Sequence, residues 1–261
     1  MELQTKERVA VVFASNPPPS PPAPKTTPLD NLMALPHRSF FFFGLVQCVA
    51  FIALLLAQYN GLVALDVSSG LYHAYAMTFF VFTQFFVGFL FTTFPRFLSQ
   101  PGITKKEFLP IVFFINVGAV LFIITLLVAS PWILFPMLIS FIGYVKLCLV
   151  LGKIYTKSTV TNKNDPKWML IAFGFGLLSH LLFLAAPYTP FVVESLAVDS
   201  GFYLYLFLLI LVVSQRMIPF FTSTRIPGYV ISKSPYFLRL VLGFLVLKIT
   251  LDHLSISTFS A

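Results

Sequence analysis

The segment that decides the fold is "SFFFFGLVQCVAFIALLLAQY", which runs from Ser39 to Tyr59 without a single charged side chain. A helix of roughly 20 mostly apolar residues is long enough to cross the hydrocarbon core of a bilayer. The rest of the chain has the same character, since 58% of its residues are hydrophobic, 10% are charged and its mean hydropathy is +0.90. We therefore predict an integral membrane protein in contact with the lipid bilayer.

Further apolar runs of similar length follow along the chain. They predict an all-α, polytopic membrane helix bundle with about seven transmembrane helices. The predicted spans lie near residues 39–59, 71–94, 108–129, 132–152, 168–187, 200–220 and 236–254.

The distribution of basic residues predicts the orientation of these helices. All of the 17 Lys and Arg residues except Lys146 and Lys248 lie in the N-terminal arm or near alternate connections between spans. The other connections contain Asp66, Glu194 and Asp199 and no basic residue. Because basic residues concentrate on the cytoplasmic side of membrane proteins, the N-terminus is expected to be cytoplasmic. The net charge of +8 is explained in this way, so no nucleic-acid partner is expected.

The N-terminal part of the chain differs from the rest. Residues 1–36 include "NPPPSPPAPKTTP" and are predicted to form a disordered, proline-rich cytoplasmic tail, because they have almost nothing to bury. Residues 37–257 are predicted to form the transmembrane helical domain.

A few polar side chains lie within the apolar spans, where such groups are costly and often functional. In the second span, His73, Met77, Gln84 and Gly88 fall on one face at 3.6 residues per turn. The face is typical of a ligand site, but also of an interfacial histidine above a glutamine that bonds a neighbouring helix.

The fifth span contains a second candidate ligand, His180, one turn after Gly176. Ala172 and Gly176 form a pair of small residues that allows another helix to approach closely. The predicted topology puts His73 and His180 in the same leaflet, and imidazole is a common ligand of haem iron and copper. Shared depth allows a common site without requiring one.

Two charged residues have simple structural interpretations. Arg216 at the inner end of the sixth span is expected to extend its charge towards the interface, or else to line a solute path. Lys248 is expected to pair with Asp252 one turn later, which argues against a retinal Schiff base.

Four segments in order resemble the NnrS family of bacterial membrane proteins. They are "PHRSFFFFG" (Pro36 to Gly44), "YHAYAM" (Tyr72 to Met77), "GFLFTTFPRFLSQPG" (Gly88 to Gly102) and "QRMIPFFTS" (Gln215 to Ser223). The resemblance implies a multi-pass protein of the bacterial inner membrane, linked to nitric oxide and denitrification and associated with haem b and copper.

The resemblance also implies roles for particular residues. His73 and Met77 match the family's histidine and methionine at the start of span two, Arg216 matches its later arginine, and His180 matches less closely. Tyr75 stands where the family has a second histidine, and tyrosine can also ligate ferric haem. Ala76 replaces a glutamate, and family members continue beyond a seventh span, so a divergent short form or a fragment is expected.

The leading hypothesis is an NnrS-like protein in which His73, His180 or both hold haem, with Met77 and Tyr75 as further ligands, and which acts in the response to nitric oxide. A second hypothesis is a small-solute carrier whose path is lined by Gln84, His180 and Arg216. A third is a structural membrane subunit without metal. The small-residue faces also allow an oligomer.

Overall fold

The computed structural model describes residues 27–259, except Ala129, Ile231 and Lys233. Every regular element in this part of the chain is helical, which confirms the predicted fold class. In chain order the helices are α1 Pro28–Leu32, α2 Pro36–Tyr59, α3 Ser69–Phe97, α4 Lys105–Val128, α5 Leu134–Lys157, α6 Asn164–Tyr188, α7 Phe191–Arg225 and α8 Phe237–Phe259.

Each predicted span corresponds to one helix from α2 to α8. By length and composition, α2 to α7 are apolar enough to cross a membrane, which makes six candidate spans in the described part of the chain. Helix α8 has 23 residues and carries Arg239, Lys248 and Asp252. The predicted number, about seven, is therefore close, and the cytoplasmic position of the N-terminus stays a prediction.

The short helix α1 lies within the segment that was predicted to be disordered. Thr27 and Asp30 form a reciprocal capping box at its start, and the hydrogen bonds from Thr27 hold the pKa of Asp30 below its usual value. Residues 1–26 lie outside the described part of the chain, so the division into tail and membrane domain stays a prediction.

Consecutive helices contact each other, and the most extensive contact is between α4 and α5. Gly118 on α4 makes this approach possible, because a Cβ there would lie 2.9 Å from the Cβ of Ser140 and 3.0 Å from the carbonyl oxygen of Pro136. Small residues at helix contacts favour association in membranes by letting the backbones meet. The close pairing fixes Ser140 of α5 inside the bundle.

Two of the helices contain π-helical segments. Helix α3 is π-helical over Ala76–Phe82 and α7 over Ser200–Phe207, with α-helix on both sides of each segment. In the first, the hydroxyl of Thr83 donates to the carbonyl oxygen of Thr78 at 2.7 Å, in addition to the bond from the backbone N–H of Thr83 to the same oxygen. The two π-helical segments contact each other and α6 packs against the second one.

The connections meet at opposite ends of the bundle in the grouping that the charge pattern predicts. At the end where α2 begins, the hydroxyl of Ser158 donates to the carbonyl oxygen of Leu98 at 2.8 Å, which joins the α5–α6 and α3–α4 connections. At the other end, here called the distal end, Asp66 and Glu194 line one cavity. The basic and the acidic connections therefore lie at different ends.

Candidate functional site

The candidate site is centred on a hydrogen bond between two buried side chains, Tyr75 of α3 and His180 of α6. The tyrosine hydroxyl lies 2.7 Å from Nε2 of the imidazole and 2.6 Å from the hydroxyl of Ser140 on α5. The exposed fraction is 1% for Tyr75 and 0% for His180. Three helices thus contribute one polar side chain each to a cluster without contact to solvent.

The hydrogens of this cluster have one arrangement in which each finds an acceptor. The hydroxyl of Ser140 donates to the carbonyl oxygen of Met137 at 2.9 Å, so it can accept from Tyr75. The tyrosine hydroxyl is then an acceptor for an N–H at Nε2 of His180. Nδ1 of His180, which is buried without a hydrogen-bond partner, carries only a lone pair. The alternative tautomer would bury an unpaired N–H, which is costlier.

Aromatic rings enclose the imidazole of His180. Its ring centroid lies 4.1 Å from that of Phe79 on α3, 5.1 Å from Phe141 and 5.9 Å from Tyr144 on α5. Phe79 belongs to the π-helical segment that begins directly after Tyr75, so the widened turn presents both rings to α6. These rings exclude water from the imidazole of His180, which has no exposed surface.

Gly176 of α6 lets the neighbouring aromatic rings approach. A Cβ at this position would overlap the hydroxyl of Tyr144 and would lie 3.0 Å from Cγ of Tyr205. The hydroxyl of Tyr144 instead donates to the carbonyl oxygen of Phe173 at 3.2 Å. Ala172 is also fully buried, in agreement with the predicted small-residue face of this span.

His73 is not part of this cluster. It lies two residues before Tyr75, and two residues rotate an α-helix by about 200°, so its side chain projects from the opposite side of α3. The residue is half-buried, and its Nδ1 is buried without a hydrogen-bond partner. Met77 is also half-buried and lies one turn further along the helix.

Gln84 belongs to a separate ring of three side-chain amides, which we call the amide ring. Gln84 donates to Gln47 of α2 at 2.7 Å, Gln47 donates to Asn116 of α4 at 2.6 Å, and Asn116 donates back to Gln84 at 3.2 Å. Gln84 and Asn116 also donate to backbone carbonyl oxygens within their own helices. The ring therefore ties three helices together and leaves Gln84 no free donor.

Arg216 lies near the opposite end of the bundle from the distal cavity. Its guanidinium donates to the carboxylate of Asp165 at the start of α6 at 3.0 Å and stacks 3.9 Å from the ring centroid of Phe97. The ion pair is partly buried, with 29% and 10% of the two side chains exposed. Arg216 thus joins α7 to α6 and α3 and does not extend freely to the interface.

The three residues proposed to line a solute path lie in three different places. Gln84 is in the amide ring, His180 is enclosed by aromatic rings, and Arg216 is paired with Asp165. Among the described residues, no hydrogen bond joins any two of the three, so they do not form one polar cluster. Lys248 pairs with Asp252, as the sequence predicts.

A cavity extends from the distal end of the bundle to the tyrosine–histidine pair. A cavity of about 370 Å³ is lined at its deep end by Tyr75, Phe122, Met137 and Phe183. Neither His73 nor His180 lines it. The cavity therefore approaches the pair from the tyrosine side.

The surroundings decide how far the predicted ligands fit a haem or a metal ion. At His180, Nε2 is bonded to Tyr75 and the ring is enclosed, so a haem does not fit there and Tyr75 has no free hydroxyl to offer. In the part of the chain that the structure describes, no three His, Cys, Asp or Glu side chains come together as a metal site. At His73, no hydrogen bond engages the buried Nδ1 of the imidazole.

Some members of these clusters were not among the sequence candidates. Ser140, Gln47 and Asn116 each lie within apolar helices, and a search for all amides and hydroxyls inside predicted spans would have found them. Their pairing, however, depends on which helices are neighbours, which a single sequence does not state.

A family model described as NnrS protein matches residues 31–260, nearly the whole chain. No match is found among curated proteins, and none among solved structures. The family match covers all of the helices from α2 to α8 and almost all of the described residues.

Proposed function

The chain belongs to the NnrS family, and on this premise we propose that it is a bacterial inner-membrane protein of the nitric oxide response that holds one haem b through His73. The observation that supports a ligand role is the imidazole of His73, whose Nδ1 is buried and lacks a hydrogen-bond partner, as do those of His37 and His180. A buried polar nitrogen without a partner costs about 1–3 kcal/mol, and a bound group that uses the imidazole would offset that cost.

His73 is preferred over His180 because of what surrounds each ring. The Nε2 of His180 is already bonded to Tyr75, and replacing that bond would open a fully enclosed aromatic cluster. His73 is half-buried on the other side of α3, where a planar group can approach from outside the helix. In this proposal the tyrosine–histidine pair holds α3, α5 and α6 in register and does not ligate the haem.

When bound, haem supplies an iron atom with a position at which nitric oxide can bind. The residues of this chain orient and shield it: His73 would hold the group, and the rigid helix α3 would fix the direction of the imidazole. Met77, one turn away, adds a thioether to the imidazole, which is a donor set that copper also accepts. Copper is therefore proposed as an occupant of the same helix face, and denitrification or nitrosative stress as the setting.

The optical spectrum of detergent-purified protein tests this function. We expect a Soret band that shifts when nitric oxide is added to the dithionite-reduced protein. The band should be lost in His73→Ala and kept in Tyr75→Phe, because the tyrosine does not touch the proposed ligand. His37→Ala is the matched control, since His37 on α2 also has a buried Nδ1 without a partner.

Two results would overturn the proposal. Protein without a Soret band and without iron or copper by elemental analysis would remove the cofactor. A band that survives His73→Ala and disappears in His180→Leu, with that variant still monodisperse by gel filtration, would reassign the ligand to the enclosed histidine.

A further inference from the structure

The distal cavity is lined by residues that have no role in the proposed function. Its upper wall comes from the connections after α2 and α4 and from the last turn of α6, through residues such as Asp66, Pro131 and Pro187. Its volume of about 370 Å³ lies within the range of roughly 300–1,000 Å³ that is typical of small-molecule sites. A molecule with one aromatic ring and a small head group fits such a space.

Charge at the cavity is of one sign. Asp66 and Glu194 both line it, and no Lys, Arg or His is among its lining residues. Glu194 is half-buried in the first turn of the helical segment that starts at Phe191, where the helix N-terminus stabilises a carboxylate. Because the bundle below has a low dielectric constant, this negative charge acts strongly on anything that enters.

The deep part of the cavity is aromatic and polarizable. Tyr72, Tyr75, Phe122 and Phe183 contribute rings, and Met137 contributes a thioether. The hydroxyls of the two tyrosines are already bonded to Gln58 and to the Ser140–His180 cluster, so the rings are fixed in place. Aromatic rings attract cations within about 6 Å through their electrostatic quadrupole.

From this combination we propose that the distal cavity is a binding site for a small hydrophobic organic cation, such as an arylalkyl quaternary ammonium or a protonated aryl amine. The carboxylate of Glu194 and the aromatic rings attract the cationic group, and the apolar walls take up the hydrocarbon part. Inorganic cations suit the site less, since its deep wall offers them rings and a thioether in place of oxygen ligands. The inference goes beyond the proposed function and does not depend on haem.

Isothermal titration calorimetry with the full chain in detergent tests the site. Phenyltrimethylammonium is the probe, and tert-butylbenzene is its neutral counterpart of nearly equal shape, with titrations into empty micelles as blanks. We expect saturable binding of the cation at least tenfold tighter than that of the neutral compound. Glu194→Gln keeps the shape of the side chain and should weaken the cation about fivefold, as expected for one nearby charge.

Asp199→Asn is the matched control, because Asp199 is an acidic residue of the same helix as Glu194 but does not line the cavity. It should leave the affinity within twofold of the unchanged chain. Equal affinity for the charged and neutral compounds, or equal weakening by Glu194→Gln and Asp199→Asn, would overturn the proposal. Loss of the Soret band would not bear on it, so the two proposals fail separately.

Discussion

The bond between Tyr75 and His180 is expected to stabilise the bundle measurably, and a double-mutant cycle isolates its contribution. Tyr75→Phe removes only the hydroxyl and keeps the ring, which contacts Phe79, Phe80 and Phe122. His180→Leu removes both ring nitrogens and leaves an apolar side chain. The double variant removes both partners together.

The size of the effect follows from burial. Tyr75→Phe leaves Nε2 of His180 only the hydroxyl of Ser140 at 3.5 Å, in a place with no exposed surface, and a poorly satisfied buried group costs about 1–3 kcal/mol. Hydrogen bonds between membrane helices have measured couplings that average about 0.6 and reach about 1.7 kcal/mol. For this buried pair, whose atoms lie 2.7 Å apart, we expect Tyr75→Phe to lower the free energy of unfolding by about 2 kcal/mol. The coupling energy between the two side chains should be about 1–1.5 kcal/mol.

Reversible unfolding in mixed micelles of a mild detergent and dodecyl sulfate, followed by circular dichroism, provides the free energies of unfolding. Tyr188→Phe is the control, because 77% of Tyr188 is exposed. This substitution should change the free energy of unfolding by no more than about 0.5 kcal/mol. If the two single changes add to the double change within about 0.3 kcal/mol, the pair is not coupled and the reasoning is refuted.

Further predictions concern the helix contacts around the site, with unfolding in the same micelles as the measurement. Gly176→Ala should destabilise by about 1–3 kcal/mol, because the new Cβ overlaps Tyr144, whereas Gly174→Ala has no neighbour within 4 Å and should be neutral or stabilising. Gln84→Leu should lower the free energy of unfolding by about 1–2 kcal/mol. Replacing all three members of the amide ring by leucine should lower it by less than the sum of the three single changes. Arg216→Lys keeps the charge but loses the planar contact with the phenylalanine ring, which should cost about 0.5–1 kcal/mol. Equal effects of the two glycine changes, strict additivity in the amide ring, or an unchanged stability of the lysine variant would contradict these expectations in turn.

The membrane helices, and the separation of basic and acidic connections to the two ends of the bundle, could be predicted from the sequence because they depend on local composition. An apolar run long enough to span a bilayer can be recognised without any knowledge of its neighbours. The alternation of basic and acidic connections indicates which connections lie at the same end of the bundle. The pair between Lys248 and Asp252 was predictable for the same reason, since its members lie one turn apart on α8.

The candidate site could be predicted only in part, because its geometry depends on contacts far apart in the chain. His73 and Gln84 were expected on one face at an α-helical period, but the π-helical segment Ala76–Phe82 between them changes that period. Tyr75 contacts His180 although 105 positions separate them. A sequence reports which polar residues lie inside helices, and packing decides which of them meet.

The most direct test of the central claim, that His73 and not the enclosed His180 carries the haem, is the electron paramagnetic resonance spectrum of the reduced protein with nitric oxide bound. In protein labelled with nitrogen-15 at histidine, we expect hyperfine coupling to a nitrogen of the imidazole that would hold the haem. The coupling should vanish in His73→Ala and persist in Tyr75→Phe. Coupling that persists in His73→Ala, or a reduced protein that gives no haem–nitrosyl signal at all, would contradict the account.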